Sequence, residues 1–468
     1  MNTEYRGKTV LVAGAGKSGL ASARFLLNRG ARVILTDTKS GDALKTGTAA
    51  LQDLAASPGE LVLELGGHKN ESFRNCDLVV VSPGIPLALP FFEISRQAGI
   101  PVIGEVELAY RHLKGKIIGI TGSNGKTTTT TLVAELLDGA GLRGFAAGNI
   151  GTPLISFAAD STPDDFYAVE LSSFQLESID KFRPFISSIL NLTPDHLDRY
   201  SGFEDYITAK QRVFMNQKST DYAVLNAEDF RTAAMARQVR AKPVLFSRTG
   251  MVEHGAFIRD DRVIFRDAGG ERDLFAVNAV SLKGAHNLEN VLAGCAMAIL
   301  AGARAESLEG SIRKFKGVEH RIEFVAEIDG VQYFNDSKAT NVDATIKSLE
   351  AFPGNILLIA GGRDKAGDFN LLKSLVRERV KHIVLIGEAA GKIRKALAGG
   401  ADLSEARSME EAVSICRSLA RRGDTVLLAP ACASFDMFEN YEHRGRVFKD
   451  AVKKIKHKSD SQVLADGI

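Results

Sequence analysis

The chain alternates short apolar runs with amphipathic stretches along most of its length. Lys8–Ala13, Arg32–Thr36, Leu78–Val81 and Val102–Gly104 have the length and character of buried strands, and Leu20–Arg29 has helical spacing. The alternation resumes with a strand at Lys116–Ile120, a helix at Thr127–Leu137, strands at Phe166–Leu171 and Pro184–Leu192, and a helix over Phe203–Phe214. Gly250–Phe275 is polar with brief runs such as Val263-Ile264-Phe265, which predicts small antiparallel strands. Two helices follow, one ending near Leu300 and one over Ala305–Phe315. Further strands are predicted at Glu323–Ala326, Gln332–Asn335, Ile356–Ala360, His382–Ile386 and Thr425–Ala429. Strands alternating with helices imply doubly wound α/β sheets. They fall in three blocks, 1–104, 105–317 and 318–468, as a length of 468 residues suggests. The first and third blocks read as Rossmann-like domains. The second reads as a P-loop α/β domain with a small antiparallel sheet.

Two strand–helix joints carry glycine loops. In the second block the joint reads Thr121-Gly122-Ser123-Asn124-Gly125-Lys126-Thr127-Thr128. Glycines let backbone N–H groups approach an anion, the helix N-terminus adds positive potential, and Lys126 supplies a point charge for outer phosphates. The Thr127 hydroxyl is a hard oxygen ligand suited to Mg²⁺. The general G-x-x-x-x-G-K-[ST] pattern puts its first glycine at position 120, which is Ile120, so this loop is a variant. In the first block Gly14-Ala15-Gly16-Lys17-Ser18-Gly19 matches G-x-G-x-x-G, and Asp37 follows Gly19 by 18 residues. The expected interval to a ribose-binding carboxylate is ~20 residues, so spacing alone points to a dinucleotide.

Other polar loops fall at predicted strand ends, where parallel sheets bind ligands. Ser82-Pro83-Gly84 reads as such a loop or as a plain turn. Glu170 ends a strand beside the phosphate loop and suits a Mg²⁺ role. His196 sits between Asp195 and Asp198 just past another strand, in a candidate site or a capped surface loop. Lys210, taken alone, reads as a surface lysine on its helix. In the third block the loops are 336–341, 361–365 and 431–436. The Lys-rich segment from Lys449 reads as a solvated helix end and an unstructured tail.

Composition narrows the class. The chain is 45% hydrophobic and 25% charged with net charge +2, the balance of a globular protein without a nucleic-acid surface. No apolar run reaches the ~18 residues of a membrane span, and no signal peptide is visible at the polar start. Cys76, Cys295, Cys416 and Cys432 are scattered without C-x-x-C, which suits a reducing cytoplasm.

The motifs together resemble the Mur ligases of bacterial peptidoglycan synthesis over nearly the whole chain, to about Val452. The carriers are Gly122–Thr127, Gly148–Gly151, Glu170–Leu176, Asn191–Tyr200, His286-Asn287, Glu319-His320-Arg321, Asn335–Asn341 and Pro430–Arg446. Within the family, Asn335–Asn341 and Ala431–Ser434 are similar to the D-glutamate-adding branch. The resemblance implies ATP-driven amide synthesis, with UDP-MurNAc-L-Ala and D-glutamate as small-molecule substrates and an acyl phosphate between them. It implies ATP contacts at Gly122, Ser123, Asn124, Gly125, Lys126, Thr127, Thr128, Asn287, Arg321 and Asp336. It implies two Mg²⁺ ions, with Thr127 and Glu170 on one and His196 on the other, supported by a carbamylated Lys210. Lys126, Glu170, His196 and Lys210 would carry the catalysis. The first domain would hold UDP, not NAD, through Lys17, Ser18, Asp37, Thr38, Lys39, Ser82 and Gly84, with Asn149 nearby. Lys338, Thr340, Lys365, Ser434, Phe435 and Tyr441 match the acyl and D-glutamate positions. Phe435 stands where a Leu is familiar. A cytoplasmic monomer without nucleic-acid or membrane partners is the expectation. The rival by spacing is an oxidoreductase with an accessory ATPase, but no hydride-transfer constellation accompanies the fingerprint. Folylpolyglutamate synthetases share the phosphate loop but normally lack the first domain.

Overall fold

The computed structural model describes residues 4–40, 58–149, 151–196 and 199–466. Ile150, Leu197 and Asp198, which belong to two of the motifs above, lie outside them. Three sheets form. In the first, β1 (Thr9–Ala13), β2 (Arg32–Asp37), β3 (Glu60–Leu65), β4 (Leu78–Val81) and β5 (Val102–Gly104) are all parallel in the order β3-β2-β1-β4-β5. Chain direction across the sheet reverses between β1 and β4. That switch point opens a crevice at the carboxyl ends of these two strands.

The second sheet has nine strands in the order β14-β13-β12-β11-β10-β9-β6-β8-β7. They are β6 (Lys116–Thr121), β7 (Arg143–Gly148), β8 (Asp165–Glu170), β9 (Ile186–Ile189), β10 (Tyr222–Asn226), β11 (Lys242–Ser247), β12 (Gly255–Arg259), β13 (Arg262–Asp267) and β14 (Gly270–Ala276). The antiparallel strands predicted near 250–275 are not a separate sheet. β12 pairs parallel with β11, and β13 and β14 extend that edge antiparallel. β9, β6 and β8 are parallel neighbours, so the loops that leave their carboxyl ends share one side. β6 is covered on both faces: Ile117, Ile118 and Ile120 are buried. A strand buried this way is a continuous apolar run, and that is why it is legible in sequence.

The third sheet runs β15-β16-β20-β17-β18-β19, with β15 (Glu323–Ile328), β16 (Val331–Asn335), β17 (Ile356–Gly361), β18 (Val380–Ile386), β19 (Asp402–Glu405) and β20 (Thr425–Leu428). β15 is antiparallel to β16, and the rest pair parallel. β16, β20 and β17 are adjacent, which gathers the three polar loops of this region at one edge. The last helix runs Tyr441–Asp466, so the segment expected to be unstructured continues it.

The chain packs as two compact units. One holds Met1–Leu192, Glu204–Val277 and Leu292–Ser311; the other holds Thr193–Phe203, Asn278–Val291 and Ile312–Ile468. No helix among the described residues is long and apolar enough to cross a membrane.

Candidate active site

In the first unit the phosphate loop follows β6 and opens the helix Lys126–Gly139. Gly125, at the helix N-cap, has φ 83°, a left-handed conformation that a Cβ would strain. No side-chain hydrogen bond caps this helix, and its N-terminus carries positive potential toward the loop. The Lys126 ammonium folds back onto its own loop and donates to Gly122 O at 2.9 Å and Ser123 O at 2.8 Å. Asn191, at the end of β9, braces the loop from the side. Its Oδ1 accepts from Asn124 N at 2.8 Å, and its Nδ2 donates to Asn124 O at 3.2 Å.

Three further predicted residues meet this loop. Glu170 ends β8 and is buried, and Asn149 Nδ2 donates to its Oε1 at 3.1 Å. Thr127 is buried at the first turn of the helix. Lys210 is no surface lysine: it is 1% exposed, against the expectation from its helix alone. Its ammonium donates to Gly122 O at 2.8 Å and Thr121 Oγ1 at 3.3 Å, over the ring of Tyr206 at 4.6 Å. The helix Phe203–Gln211 turns this face inward because it packs Tyr206 and Ile207 into the core. A hydroxyl and a buried carboxylate beside a phosphate cradle form a hard-oxygen donor set, which fits Mg²⁺.

The nucleotide-like loop of the first sheet shapes a cavity of about 580 Å³. Gly14, Gly16, Lys17 and Ser18 line it from β1, Asp37, Thr38 and Lys39 from β2, and Ser82 and Gly84 from β4. This is the crevice at the β1/β4 switch point, and it joins every predicted uridine-site residue except Asn149. Asp37 shapes the loop through its carboxylate, which accepts from Ala15 N at 2.8 Å and Lys39 N at 2.9 Å. Gly19 admits no side chain: a Cβ there would lie 1.8 Å from Gly14 O. His68 also lines the cavity, and no motif of the sequence marks it. A larger cavity of about 770 Å³ near Tyr222, Lys242 and Leu300 lies at the starts of β10 and β11 and contains no predicted site residue.

In the second unit, Arg321, Asp336 and Lys338 lie together. Asp336 follows β16 and is buried; burial raises its pKa, and Arg321 and Lys338 oppose the rise. Ser348 Oγ donates to Asp336 Oδ2 at 2.5 Å, while Oδ1 is buried with no hydrogen-bond partner among the described residues. Arg321 Nε is likewise buried and unpartnered there. An orphaned acceptor and an orphaned donor on neighbouring side chains fit a polar ligand such as a nucleotide. His286 precedes Asn287, and burial with Arg321 nearby lowers its pKa to about 3, so it is neutral. Asn287 Nδ2 donates to Lys283 O at 2.7 Å. His196 has φ 55°, with Asp195 Oδ1 accepting its N–H at 3.0 Å.

The loops after β16 and β20 share a clasp that no motif in the sequence marks. Arg444 is fully buried; Nε donates to Ser337 Oγ at 3.0 Å, Nη2 to Ser337 O at 2.7 Å and Nη1 to Cys432 O at 3.1 Å. One guanidinium therefore ties the loop of Lys338 and Thr340 to the loop of Ser434 and Phe435. Lys338 lies over the Tyr441 ring at 5.2 Å, Ser434 is buried, and Phe435 is 64% exposed. Lys365 follows the third adjacent strand, β17. Glu319, His320 and Glu323 cluster nearby, but Lys449 pairs with both carboxylates, so the cluster already holds its cation.

Three family models match the three sheets in turn. They are the Mur ligase MurD-like N-terminal domain over residues 8–104, the Mur ligase middle domain over 120–298 and the Mur ligase glutamate ligase domain over 320–432. The chain belongs to the Mur ligase family. It is 48% identical over 452 residues to the UDP-N-acetylmuramoylalanine–D-glutamate ligase of Koribacter versatilis, covering 97% of this chain and 98% of that protein. It is 49% identical over 451 residues to the same-named ligase of Acidobacterium capsulatum, covering 96% and 97%. Among solved structures, UDP-N-acetylmuramate–alanine ligase from Thermotoga maritima shares the fold, with TM-score 0.59 and 18% identity over 96% of this chain and all of that one. A pseudomurein peptide ligase from Methanothermus fervidus does so with TM-score 0.61 and 18% identity over the same shares.

Proposed function

We propose that this chain is the D-glutamate-adding ligase of peptidoglycan precursor synthesis, joining D-glutamate to UDP-N-acetylmuramoyl-L-alanine at the expense of ATP. The observation that carries the reading is the set of strand-end loops: a phosphate cradle with Lys126 and Lys210, a uridine-sized crevice, and the Asn335–Asn341 loop clasped to Ala431–Ser434. The near-full-length relatives carry that activity in their names.

A carboxylate is a poor electrophile, so the alanyl carboxylate first attacks the γ-phosphorus and ADP leaves. The D-glutamate amine then attacks the acyl carbon, loses a proton and expels phosphate. Lys126 and the helix N-terminus balance charge on the phosphates as it develops. Gly122–Thr128, Asn287, Arg321 and Asp336 hold ATP. Lys338, Thr340, Lys365, Ser434, Phe435 and Tyr441 position the two carboxylate-bearing substrates. Bound Mg²⁺ supplies charge neutralisation between two polyanions. Thr127 and Glu170 suit one ion and His196 a second. A carbamate on Lys210 would turn its buried cation into an anion able to support that second ion. On this reading the protein is a cytoplasmic monomer whose domains span 1–104, 105–317 and 318–468.

The test is phosphate release from ATP. It should require UDP-MurNAc-L-Ala and D-glutamate together. Release that ignores either substrate would end the assignment. Tight NAD binding without a response to UDP would favour the oxidoreductase instead.

A further inference from the structure

The cavity of about 770 Å³ opens where β10, β11 and β12 begin and where the β13–β14 hairpin turns back. β10 runs parallel to β9, and β9 to β6, so this is the edge of the sheet opposite the phosphate loop. The volume lies within the roughly 300–1,000 Å³ of small-molecule sites. Tyr222, Val244, Phe265 and Leu300 give the cavity an apolar wall. The cations around that wall are short of partners. Arg272 pairs with Asp267. Arg266 donates through Nε to Glu271 Oε1 at 2.9 Å, but Arg259 shares that carboxylate. Lys242 is exposed, and its ammonium lies over the Tyr222 ring at 5.5 Å with no ion pair among the described residues. Tyr222 meets Phe185 edge-on at 5.7 Å, and Lys116 lies over that second ring at 5.0 Å. Both lysines therefore face rings instead of carboxylates. A ring face attracts a cation without cancelling its charge.

We propose that this cavity is a second ligand site, for a small aromatic monocarboxylate, with the carboxylate at Lys242 and the ring against Tyr222, Val244 and Leu300. The apolar wall takes the ring, and the uncancelled ammonium takes the charge. A neutral ring would leave Lys242 as it is. A polyphosphate would need several free cations, and Arg266 and Arg272 are already held by Glu271 and Asp267. The site is independent of the substrate reading above, because none of its residues belongs to the phosphate loop or to the switch-point crevice.

The experiment is calorimetry on the full chain with 3-phenylpropanoate and with 3-phenylpropanamide, which keeps the ring and loses the charge. The titrations are run alone and again with saturating MgADP, UDP and D-glutamate. The unaltered protein should bind the acid at one saturable site, unaffected by those three ligands, and the amide about fivefold more weakly, as one partly exposed charge contact allows. Lys242→Met keeps the stem over Tyr222 and removes the charge. It should weaken the acid about fivefold and leave the amide unchanged, and Lys242→Arg should restore most of the preference. The side chain is exposed, so neither variant endangers folding. The proposal is overturned if the acid shows no saturable binding, if MgADP, UDP or D-glutamate displaces it, or if acid and amide bind equally. It is overturned also if Lys242→Met keeps the full preference for the acid.

Discussion

The molecule contains the same device twice, a parallel strand running through a glycine loop into a helix, and the two copies differ in how they hold charge. After β1, the helix begins at an exposed Lys17 with an extended N-cap glycine, and the loop is shaped by Asp37 and by the close approach of Gly19 to Gly14. After β6, the N-cap glycine is left-handed, the first residue Lys126 is turned onto its own carbonyls, and a second lysine, Lys210, is buried against Gly122. A wet loop with exposed cations suits binding, because charge there is screened by water. A loop with one buried lysine and a half-buried one folded onto it suits chemistry, because charge that develops during reaction is met by groups already in place. Loop spacing does not separate the two uses. The burial of Lys210 does.

The largest effect should come from the loop after β6. Lys126→Ala is expected to cut ADP formation on the order of 10³-fold, with circular dichroism unchanged, because the anion loses its main side-chain counter-charge. Wild-type turnover in that variant would break the contrast. Lys210→Ala should fall on the order of 10²-fold and regain part of its rate with added acetate, which can occupy the vacated space and supply oxygens. Lys210→Arg should stay inactive, since a guanidinium keeps the cationic charge and does not carbamylate readily. Inactivity of Lys210→Ala without rescue would point instead to a structural role, through the bonds to Gly122 and Thr121.

At the wet loop the expected effect is smaller and of a different kind. Asp37→Ala frees the N–H groups of Ala15 and Lys39 and should weaken binding of UDP-MurNAc-L-Ala about tenfold. At saturating substrate kcat should hold, as for lost uniform binding. A fall in kcat equal to the fall in kcat/KM would mean that this loop also takes part in the chemistry.

Both loops were legible in sequence because an apolar run, glycines and a basic residue follow one another without interruption. Lys210 was not, since a lone lysine on a helix with acidic residues in its first turn looks solvated; only the packing of Tyr206 turns it inward. Strands β3, β7, β10, β11 and β19 escaped the pattern. β3 and β19 have half-exposed faces, β7 is rich in Gly and Ala, and β11 carries Pro243 at its second position, which demotes a run as a strand; nothing in β10 sets it apart. Arg444 and His68 share a feature that no local spacing encodes: each contacts residues distant along the chain.

The smallest effect asks whether the two loops are energetically separate. The chain passes from one sheet to the next through the helix Glu105–Tyr110, and Glu105 is fully buried, with Oε1 accepting from Ile155 N at 2.7 Å. Burial raises its carboxyl pKa from 4.5 to about 7, with the backbone bonds from Ile155 and Leu154 opposing the rise. The folded state therefore keeps a proton that the unfolded state has lost between these values. Stability is undiminished below pH 4.5, falls as pH rises toward 7, and is lower by about 3 kcal/mol beyond it, at 1.36 kcal/mol per unit. Glu105→Gln keeps an oxygen for Ile155 and removes the ionisation. It should leave Tm nearly unchanged at pH 4.5 and raise it by a few degrees at pH 8. If the loops are separate devices, UDP affinity and ATP turnover at pH 8 should match the unaltered protein within about twofold, in line with additivity for distant sites. A Tm gain accompanied by loss at both loops would show that this joint couples them, and the contrast between a binding loop and a chemical loop would have to be redrawn as one cooperative site.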